Sequence, residues 1–302
     1  MKAHAKLALG TVQLGLRYGI RERDYKPPSP EEAAAILATA AACGLNFLDT
    51  AFEYAESEQV IGSLRPPHWQ PRIITKTPKF REVGLFLKTG RWLQKAYELS
   101  CADLRVETCH ALMVHNPENL LQPGGHYLIE ALQALKQSGK VGKIGVSVYD
   151  RHQVVEVSQV FPFEIIQLPL SLADQRLLRD GTLRELRSRG VEIHVRSAFL
   201  QGALLLEADE VPPGMEGLNP ALAELKRRSA EAGVSVIHAL LGFTLDLSEV
   251  DAVVVGVNQA AQLEELGRFS QRPLPKNFDR SPLPVSDESL LNPGTWKRRI
   301  NI

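Results

Sequence analysis

The feature that most constrains the fold of this chain is a regular alternation of short apolar runs with helical stretches. Eight such runs recur along nearly the whole sequence, and most are dense in Val, Ile and Leu rather than strictly alternating. That pattern favours strands buried on both faces, as in parallel sheets covered by helices. The predicted strands span 7–12, 46–51, 72–77, 110–115, 143–148, 164–170, 191–198 and 251–257.

The segments between these runs have helical periodicity and carry residues that typically cap helices. Ser29 is a typical N-cap, Pro30 suits the first helical position, and Gly44 is a typical C-cap, so a helix is predicted over 30–43. Further helices are predicted over 57–64, 88–101, 124–138, 150–159, 180–189, 219–232, 235–246 and 259–269.

Eight alternations without a linker or a break in composition predict an α/β fold, a single-domain (β/α)8 TIM barrel. We expect one domain over 1–302, with a barrel core at about 7–269 and a Pro-rich, irregular C-terminal tail over 270–302. An open doubly wound sheet is the alternative, and the length of 302 residues would by itself also allow two domains.

The amino-acid composition limits the classes of molecule that this chain is expected to bind. Basic and acidic residues are equal in number, 35 each, which argues against a nucleic-acid partner. There is neither a run of about 18 apolar residues nor a signal-like N-terminus, so no membrane insertion or secretion is expected. Cys43, Cys101 and Cys109 lie in or beside apolar segments and are predicted to be reduced, which favours a cytoplasmic protein. The oligomeric state stays open.

Four ionisable residues stand at or just after the ends of predicted strands: Asp49, Tyr54, Lys76 and His115. In a parallel barrel the carboxyl ends of all strands meet at one face, where catalytic groups gather. The pattern therefore predicts one active site. Two alternatives stand beside it: Asp49 and Lys76 could form a structural ion pair, and a lone strand histidine is more often structural.

The chemistry of these groups favours proton transfer to an oxyanion. A phenol with a pKa near 10 donates a proton more readily when a cation stabilises its anion, and Lys76 could supply that cation with Asp49 holding it. His115 could orient a carbonyl oxygen toward Tyr54. Without evident metal ligands, the set suits reduction of a carbonyl by hydride from a cofactor.

A Rossmann-type nucleotide site is disfavoured because no G-x-G-x-x-G motif follows the first strand. Gly10 and Gly15 form only a loose glycine pair.

The motifs around these residues resemble the aldo-keto reductase superfamily, from about Leu7 to Phe269. The matching segments are Leu-Asp-Thr-Ala followed by Tyr54, Ser57 to Gly62, Thr75-Lys76, His115-Asn116-Pro117, and Gly139 to Ser147. The resemblance implies that Tyr54 is the general acid, that Lys76 and Asp49 lower its pKa, and that His115 positions the substrate carbonyl.

The same resemblance implies a set of nicotinamide-cofactor contacts. Arg196 stands where many members have a ring-stacking tyrosine, and its planar guanidinium could stack in the same way. Asn258 stands where many members have an arginine for the 2′-phosphate of NADP, yet the habit of the family still favours NADP (NADPH) over NAD. The implied contacts are Gly10, Thr11, Ser147, Gln167, Arg196, Ser197, Phe199, Gln201, Gly202, Leu204, Gly256, Asn258, Gln262 and Glu265.

The sequence thus predicts an NAD(P)H-dependent reductase that converts an aldehyde or ketone, with a sugar-like compound as one candidate substrate, to an alcohol. One alternative is a cofactor-binding regulatory or interaction subunit of the same fold. The other is a barrel hydrolase or isomerase that uses Asp49 and His115 without nicotinamide.

Overall fold

A computed structural model describes residues 5–21, 26–81 and 84–298. Eight parallel strands form a closed barrel in the order β1 to β8, each strand pairing with its neighbours in sequence and β8 with β1. The predicted (β/α)8 TIM barrel is confirmed. The strands are β1 Leu7–Gly10, β2 Phe47–Asp49, β3 Arg72–Lys76, β4 Cys109–Val114, β5 Val141–Ser147, β6 Ile165–Pro169, β7 Glu192–Arg196 and β8 Ala252–Gly256.

Helices cover the outside of the barrel. The predicted helix over 30–43 has the expected caps, since the Ser29 hydroxyl accepts from the Glu32 amide and Gly44 is left-handed at φ 70°. Three four-residue helices, α1, α5 and α8, were not predicted because one turn carries no periodic signal. The helices are α1 Val12–Gly15, α2 Pro30–Cys43, α3 Ser57–Leu64, α4 Leu87–Leu104, α5 Glu118–Leu121, α6 Gly125–Gln137, α7 Arg151–Val160, α8 Arg176–Arg179, α9 Thr182–Ser188, α10 Asn219–Glu231, α11 Val236–Leu245 and α12 Ala260–Phe269.

Within the part of the chain that the structure describes, no helix is both long and apolar enough to cross a lipid bilayer.

The strands are buried on both faces, which explains their dense apolar composition. Their outward side chains pack with the helices in one large core that includes Leu9, Leu48 and Ile166. Their inward side chains fill the barrel interior, as in other barrels of this size. The interior cluster consists of Ala8, Phe47, Ile74, Ala111, Met113, Ile165 and Ala252.

A polar network lies at the first residues of β4, β5 and β7, the barrel end opposite the predicted site. The Glu192 carboxylate contacts His110 Nε2 at 3.1 Å, His194 Nε2 at 2.7 Å and Lys143 Nζ at 2.5 Å. Burial acts to raise the pKa of Glu192, but the hydrogen bonds from His110, His194 and Lys143 outweigh it and hold the pKa well below its usual range. The network therefore keeps a charged carboxylate inside the barrel.

The C-terminal tail packs back onto the barrel. The Leu283 amide donates to the Leu172 carbonyl (3.0 Å), and Gln175 Nε2 donates to the Arg280 carbonyl (2.9 Å). The tail is irregular apart from two 3₁₀ segments, Glu288–Leu291 and Pro293–Arg298. Residues 299–302 of the predicted tail lie outside the described residues.

Candidate active site

The barrel brings the four predicted catalytic side chains together at the carboxyl ends of the strands. Asp49 and Lys76 are the last residues of β2 and β3, and His115 directly follows β4. Lys76 Nζ lies 2.6 Å from Asp49 Oδ1 and 5.3 Å from the centre of the Tyr54 ring. The Tyr54 and His115 rings meet edge to face with their centres 5.9 Å apart. Ammonium, phenol and imidazole thus form one contiguous group.

A buried ion pair holds this group in place. Lys76 Nζ donates to Asp49 Oδ1 and to the Thr50 carbonyl at 2.9 Å, and the other oxygen of Asp49 accepts from Gln167 Nε2 at 2.7 Å. Both Asp49 and Lys76 are buried. Because each charge has hydrogen-bonded partners, the pair can tolerate burial and fixes the ammonium beside the phenol ring.

Tyr54 carries a phenol that stays protonated near neutral pH. Burial raises its pKa above the ordinary value of 10, the negative charge of Asp49 and the phenol of Tyr149 add to this rise, and the guanidinium of Arg196 opposes it. The expectation that Asp49 lowers the pKa of Tyr54 is wrong for this arrangement, because a carboxylate disfavours a neighbouring phenolate. Arg196, which the sequence reasoning assigned only to cofactor stacking, also acts on Tyr54, because its positive charge opposes the rise in pKa.

His115 is held as a neutral imidazole. Burial lowers its pKa from 6.5 to about 2, and the positive charges of Lys76, Lys79 and Arg196 contribute to the decrease. Its main-chain amide donates to Thr77 Oγ1 at 3.2 Å, and its Nδ1 has no partner among the described residues. A neutral ring can donate a hydrogen bond to a carbonyl oxygen without adding a second cation to the site.

The loop that carries Tyr54 is strained and closely packed. Ala55 has a left-handed backbone at φ 47°, which is uncommon for a residue with a side chain. Gly15, the last residue of α1, lies against this loop. A methyl group on Gly15 would sit 2.0 Å from the Tyr54 carbonyl oxygen and 2.7 Å from the Ser57 amide nitrogen. Because Gly15 has no side chain, the loop that carries Tyr54 can pack against it without a clash.

Replacing Gly15 by Ala should displace Tyr54 and impair turnover more than folding. Overpacking of this kind destabilises by about 1–3 kcal/mol, and a shift of about 1 Å in a catalytic group can cost about 10²-fold in rate. Thermal unfolding and steady-state kinetics check both effects. Leu16→Ala, at the exposed neighbouring position, is the control. A Gly15→Ala variant with wild-type turnover would show that the loop does not need this close contact.

A cavity of about 380 Å³ extends from Asp49 and Tyr54 past the ends of β7 and β8 to the first turn of α12. Two of the predicted cofactor residues, Ser147 and Leu204, are absent from its lining, and Leu205 lines it instead of the buried Leu204. The predicted residues that do line it are Gly10, Thr11, Gln167, Arg196, Ser197, Phe199, Gln201, Gly202, Gly256, Asn258, Gln262 and Glu265.

The loop after α1 crosses to the loop after β7 along this cavity. Gln201 Nε2 donates to the Tyr18 hydroxyl at 2.7 Å, and the Ile20 amide donates to the Gln201 carbonyl at 2.9 Å. Tyr18, Gly19, Ile20 and Arg21 all line the cavity. The sequence reasoning missed this segment, because no local pattern indicates a contact between residues 183 positions apart.

Arg196 is fixed by a partner that the sequence reasoning also missed. Its guanidinium carbon lies 4.2 Å from the centre of the Tyr149 ring, and its Nη2 donates to the Val148 carbonyl at 3.1 Å. Stacking of a guanidinium on an aromatic face is favourable and restricts its orientation. Tyr149 therefore fixes the orientation of the Arg196 guanidinium, and Arg196 lines the cavity.

The far end of the cavity meets the first turn of α12. The amides of Asn258 and Gln259 donate to Gln262 Oε1 at 2.8 and 3.2 Å, and the Ala260 amide donates to Glu32 Oε1 at 2.6 Å. Glu32 belongs to α2, and no local pattern in the sequence indicates its contact with α12.

The cavity suits an extended dinucleotide. Its lining reaches from Tyr54 to Gln262 of α12 and includes Gly202, whose backbone at φ 90° brings main-chain atoms close to the cavity without a side chain. Gln13, another lining residue, has a buried Oε1 without a partner among the described residues. Shape and polar lining both fit a nicotinamide cofactor.

Comparison with known proteins agrees with this geometry. A model of the Aldo/keto reductase family matches residues 6–278. L-galactose dehydrogenase from Arabidopsis thaliana is 27% identical over 259 residues, covering 80% of this chain and 78% of that protein.

Solved structures match the fold over a longer stretch. A holo-form aldo-keto reductase from Bacillus halodurans aligns with a TM-score of 0.72 at 18% identity, covering 96% of this chain and 94% of the other. A glycerol dehydrogenase from Gluconobacter oxydans aligns with a TM-score of 0.70 at 20% identity, covering 98% and 92%. At these low sequence identities, the similarity to the two solved structures shows a shared barrel fold only.

Proposed function

The chain belongs to the aldo/keto reductase family and is an NAD(P)-dependent oxidoreductase of aldehydes or ketones, and from that premise we propose that Tyr54 supplies the proton of its reaction. The observation that carries the proposal is the contiguous group of Lys76, Tyr54 and His115, of which Tyr54 lines the cavity. A bound nicotinamide would supply the hydride.

Each residue of the site has a separate role in the transfer of the proton. Tyr54 enters the reaction as a protonated phenol and donates to the developing oxyanion, while neutral His115 donates a hydrogen bond that holds the carbonyl oxygen. The ammonium of Lys76, 5.3 Å from the ring centre, stabilises the phenolate that remains. Asp49 and Gln167 keep the ammonium in place.

We assign the cofactor to the cavity described above. Arg196 has one face against Tyr149, which leaves its other face for the nicotinamide ring, and Ser147 and Gln167 are proposed for the carboxamide. Most members of the family use NADP, whereas the negative charges around the start of α12 favour NAD in this chain.

A polyhydroxylated, sugar-like carbonyl compound is the proposed substrate class. The name of the Arabidopsis relative, L-galactose dehydrogenase, supports it. We further propose that 1–302 acts as one domain, without nucleic-acid or membrane partners, in the cytoplasm, where its three free cysteines would stay reduced.

Titration of the purified protein with NADH and NADPH, followed by nicotinamide fluorescence, tests the function. We expect saturable binding of at least one of them and oxidation of the bound cofactor when an aldose or a simple aldehyde is added. Binding without turnover of any carbonyl compound would favour an interaction subunit. No binding of either cofactor would favour the barrel hydrolase or isomerase.

A further inference from the structure

The three main-chain amides at the start of α12, those of Asn258, Gln259 and Ala260, are all taken by side chains of the protein. Gln262 accepts from the amides of Asn258 and Gln259, and Glu32 accepts from the amide of Ala260. The contact from Glu32 is the shortest of the three, at 2.6 Å, and it is partly buried. The protein itself therefore supplies both the acceptor atoms and the negative charge at this helix end.

That charge matters because a helix N-terminus carries about half a positive charge, which favours an anion. Here the carboxylate of Glu32 takes that position. A 2′-phosphate bound at this end of the cavity would carry close to two negative charges near the carboxylate of Glu32, which contacts the Ala260 amide, and near Glu265, which lines the cavity. The electrostatic result is repulsion where a binder of NADP needs attraction.

The cations that line the cavity already have partners within the protein. Among the described residues that line the cavity, the cationic ones are Arg21 and Arg196. Arg21 forms an ion pair with Glu210 at 2.5 Å, and the guanidinium of Arg196 stacks on the Tyr149 ring. Asn258 and Gln262, which face the cavity next to Glu32, are uncharged.

We propose that this enzyme takes NAD in preference to NADP, and that Glu32 of α2 is the residue that sets the preference. The proposal rests on the nicotinamide site assigned under Proposed function. A carboxylate at this point repels a 2′-phosphate, yet it can accept a hydrogen bond from the 2′-hydroxyl of NAD, which is how acidic residues select NAD in other dinucleotide sites. Cofactor choice then depends on a contact between two helices 228 residues apart in sequence.

The test is the dissociation constant of NADH and of NADPH for the wild type and for Glu32→Gln. Glutamine keeps the shape and the acceptor for the Ala260 amide but removes the charge. We expect the wild type to bind NADH about tenfold or more tightly than NADPH, and Glu32→Gln to bind NADPH about five- to tenfold more tightly than the wild type does. Adding Asn258→Arg should strengthen NADPH binding further.

Glu31→Gln is the matched control. It removes the same charge from the same helix turn, but Glu31 is exposed and its side chain interacts with Ser29. We expect both dissociation constants to stay within about twofold of the wild type, as for an exposed charge outside the site. The gain for NADPH in Glu32→Gln should also shrink as the salt concentration rises, because screening weakens charge repulsion.

Three results would overturn the proposal. A wild type that binds NADPH more tightly than NADH contradicts the preference itself while leaving the reductase function intact. Equal changes in both constants for Glu32→Gln, or equal changes for Glu31→Gln and Glu32→Gln, contradict the role of Glu32. Failure to bind either cofactor would instead overturn the proposed function on which the inference rests.

Discussion

Replacing Tyr54 by Phe is expected to lower the turnover number for carbonyl reduction by about 10²- to 10⁴-fold, the usual contribution of a positioned proton donor. The ring and its contacts with His115 and Lys76 remain, so the dissociation constant of the nicotinamide cofactor should change little. Steady-state kinetics and a fluorescence titration on the same preparation separate the two effects.

Tyr127→Phe removes a phenol from α6, outside the cavity lining, and should leave turnover at the wild-type level. Full turnover by Tyr54→Phe would refute the acid role. The pH profile gives a second criterion: because the pKa of His115 is lowered to about 2, reduction by the wild type should show no break near pH 6.5. Such a break would mean that His115 titrates in the working enzyme.

Replacing Glu192 by Leu is expected to destabilise the barrel by about 3–5 kcal/mol, because it leaves three polar side chains, one of them completely buried, without their hydrogen-bond acceptor. His194, which is completely buried, would lose the acceptor of its Nε2, and His110 and Lys143 would lose theirs. Chemical denaturation followed by circular dichroism measures the change in free energy of unfolding.

The control is Glu164→Leu, which removes an ion pair with Lys136 in which both side chains are more than one-third exposed. It should cost less than about 1 kcal/mol. Equal losses for the two variants would contradict a special role for the Glu192 network.

The contribution of Glu192 should also depend on pH. Its pKa is held below the unfolded value of 4.5, so the unfolded chain binds the proton more readily than the folded one. The stabilisation is therefore fully present above about pH 4.5 and is lost as the pH falls below it. The difference in stability between the wild type and Glu192→Gln should accordingly shrink in acid; a difference that stays constant down to pH 3 would contradict this account.

Local patterns were enough to predict the strands and most of the helices. The helix over 30–43 is marked by Ser29, Pro30 and Gly44, and the structure has the same bounds. Strand ends were less certain: the first predicted strand, 7–12, stops at Gly10 because α1 begins at Val12. Periodicity identifies an element over several residues but does not mark its last one.

The candidate site was predictable for the same reason. In a parallel barrel every strand delivers its last residues to one face, so Asp49 and Lys76 had to approach once their strands were neighbours. Their pairing at 2.6 Å, with Tyr54 and His115 beside it, agrees with the grouping that the sequence predicts.

Sequence by itself determined the alternation of strand and helix, the barrel that such an alternation builds, and the residue types at its carboxyl face, because these depend on spacing along the chain. Tertiary structure alone decided which distant groups meet: Gln167 with Asp49, Tyr18 with Gln201, and Glu32 with Ala260. Such contacts depend on how helices and loops pack in three dimensions, and no period in the sequence encodes them. The burial and the neighbouring charges that shift the pKa of Tyr54 belong to this second kind, as does the contact that, as we propose, sets the choice of cofactor.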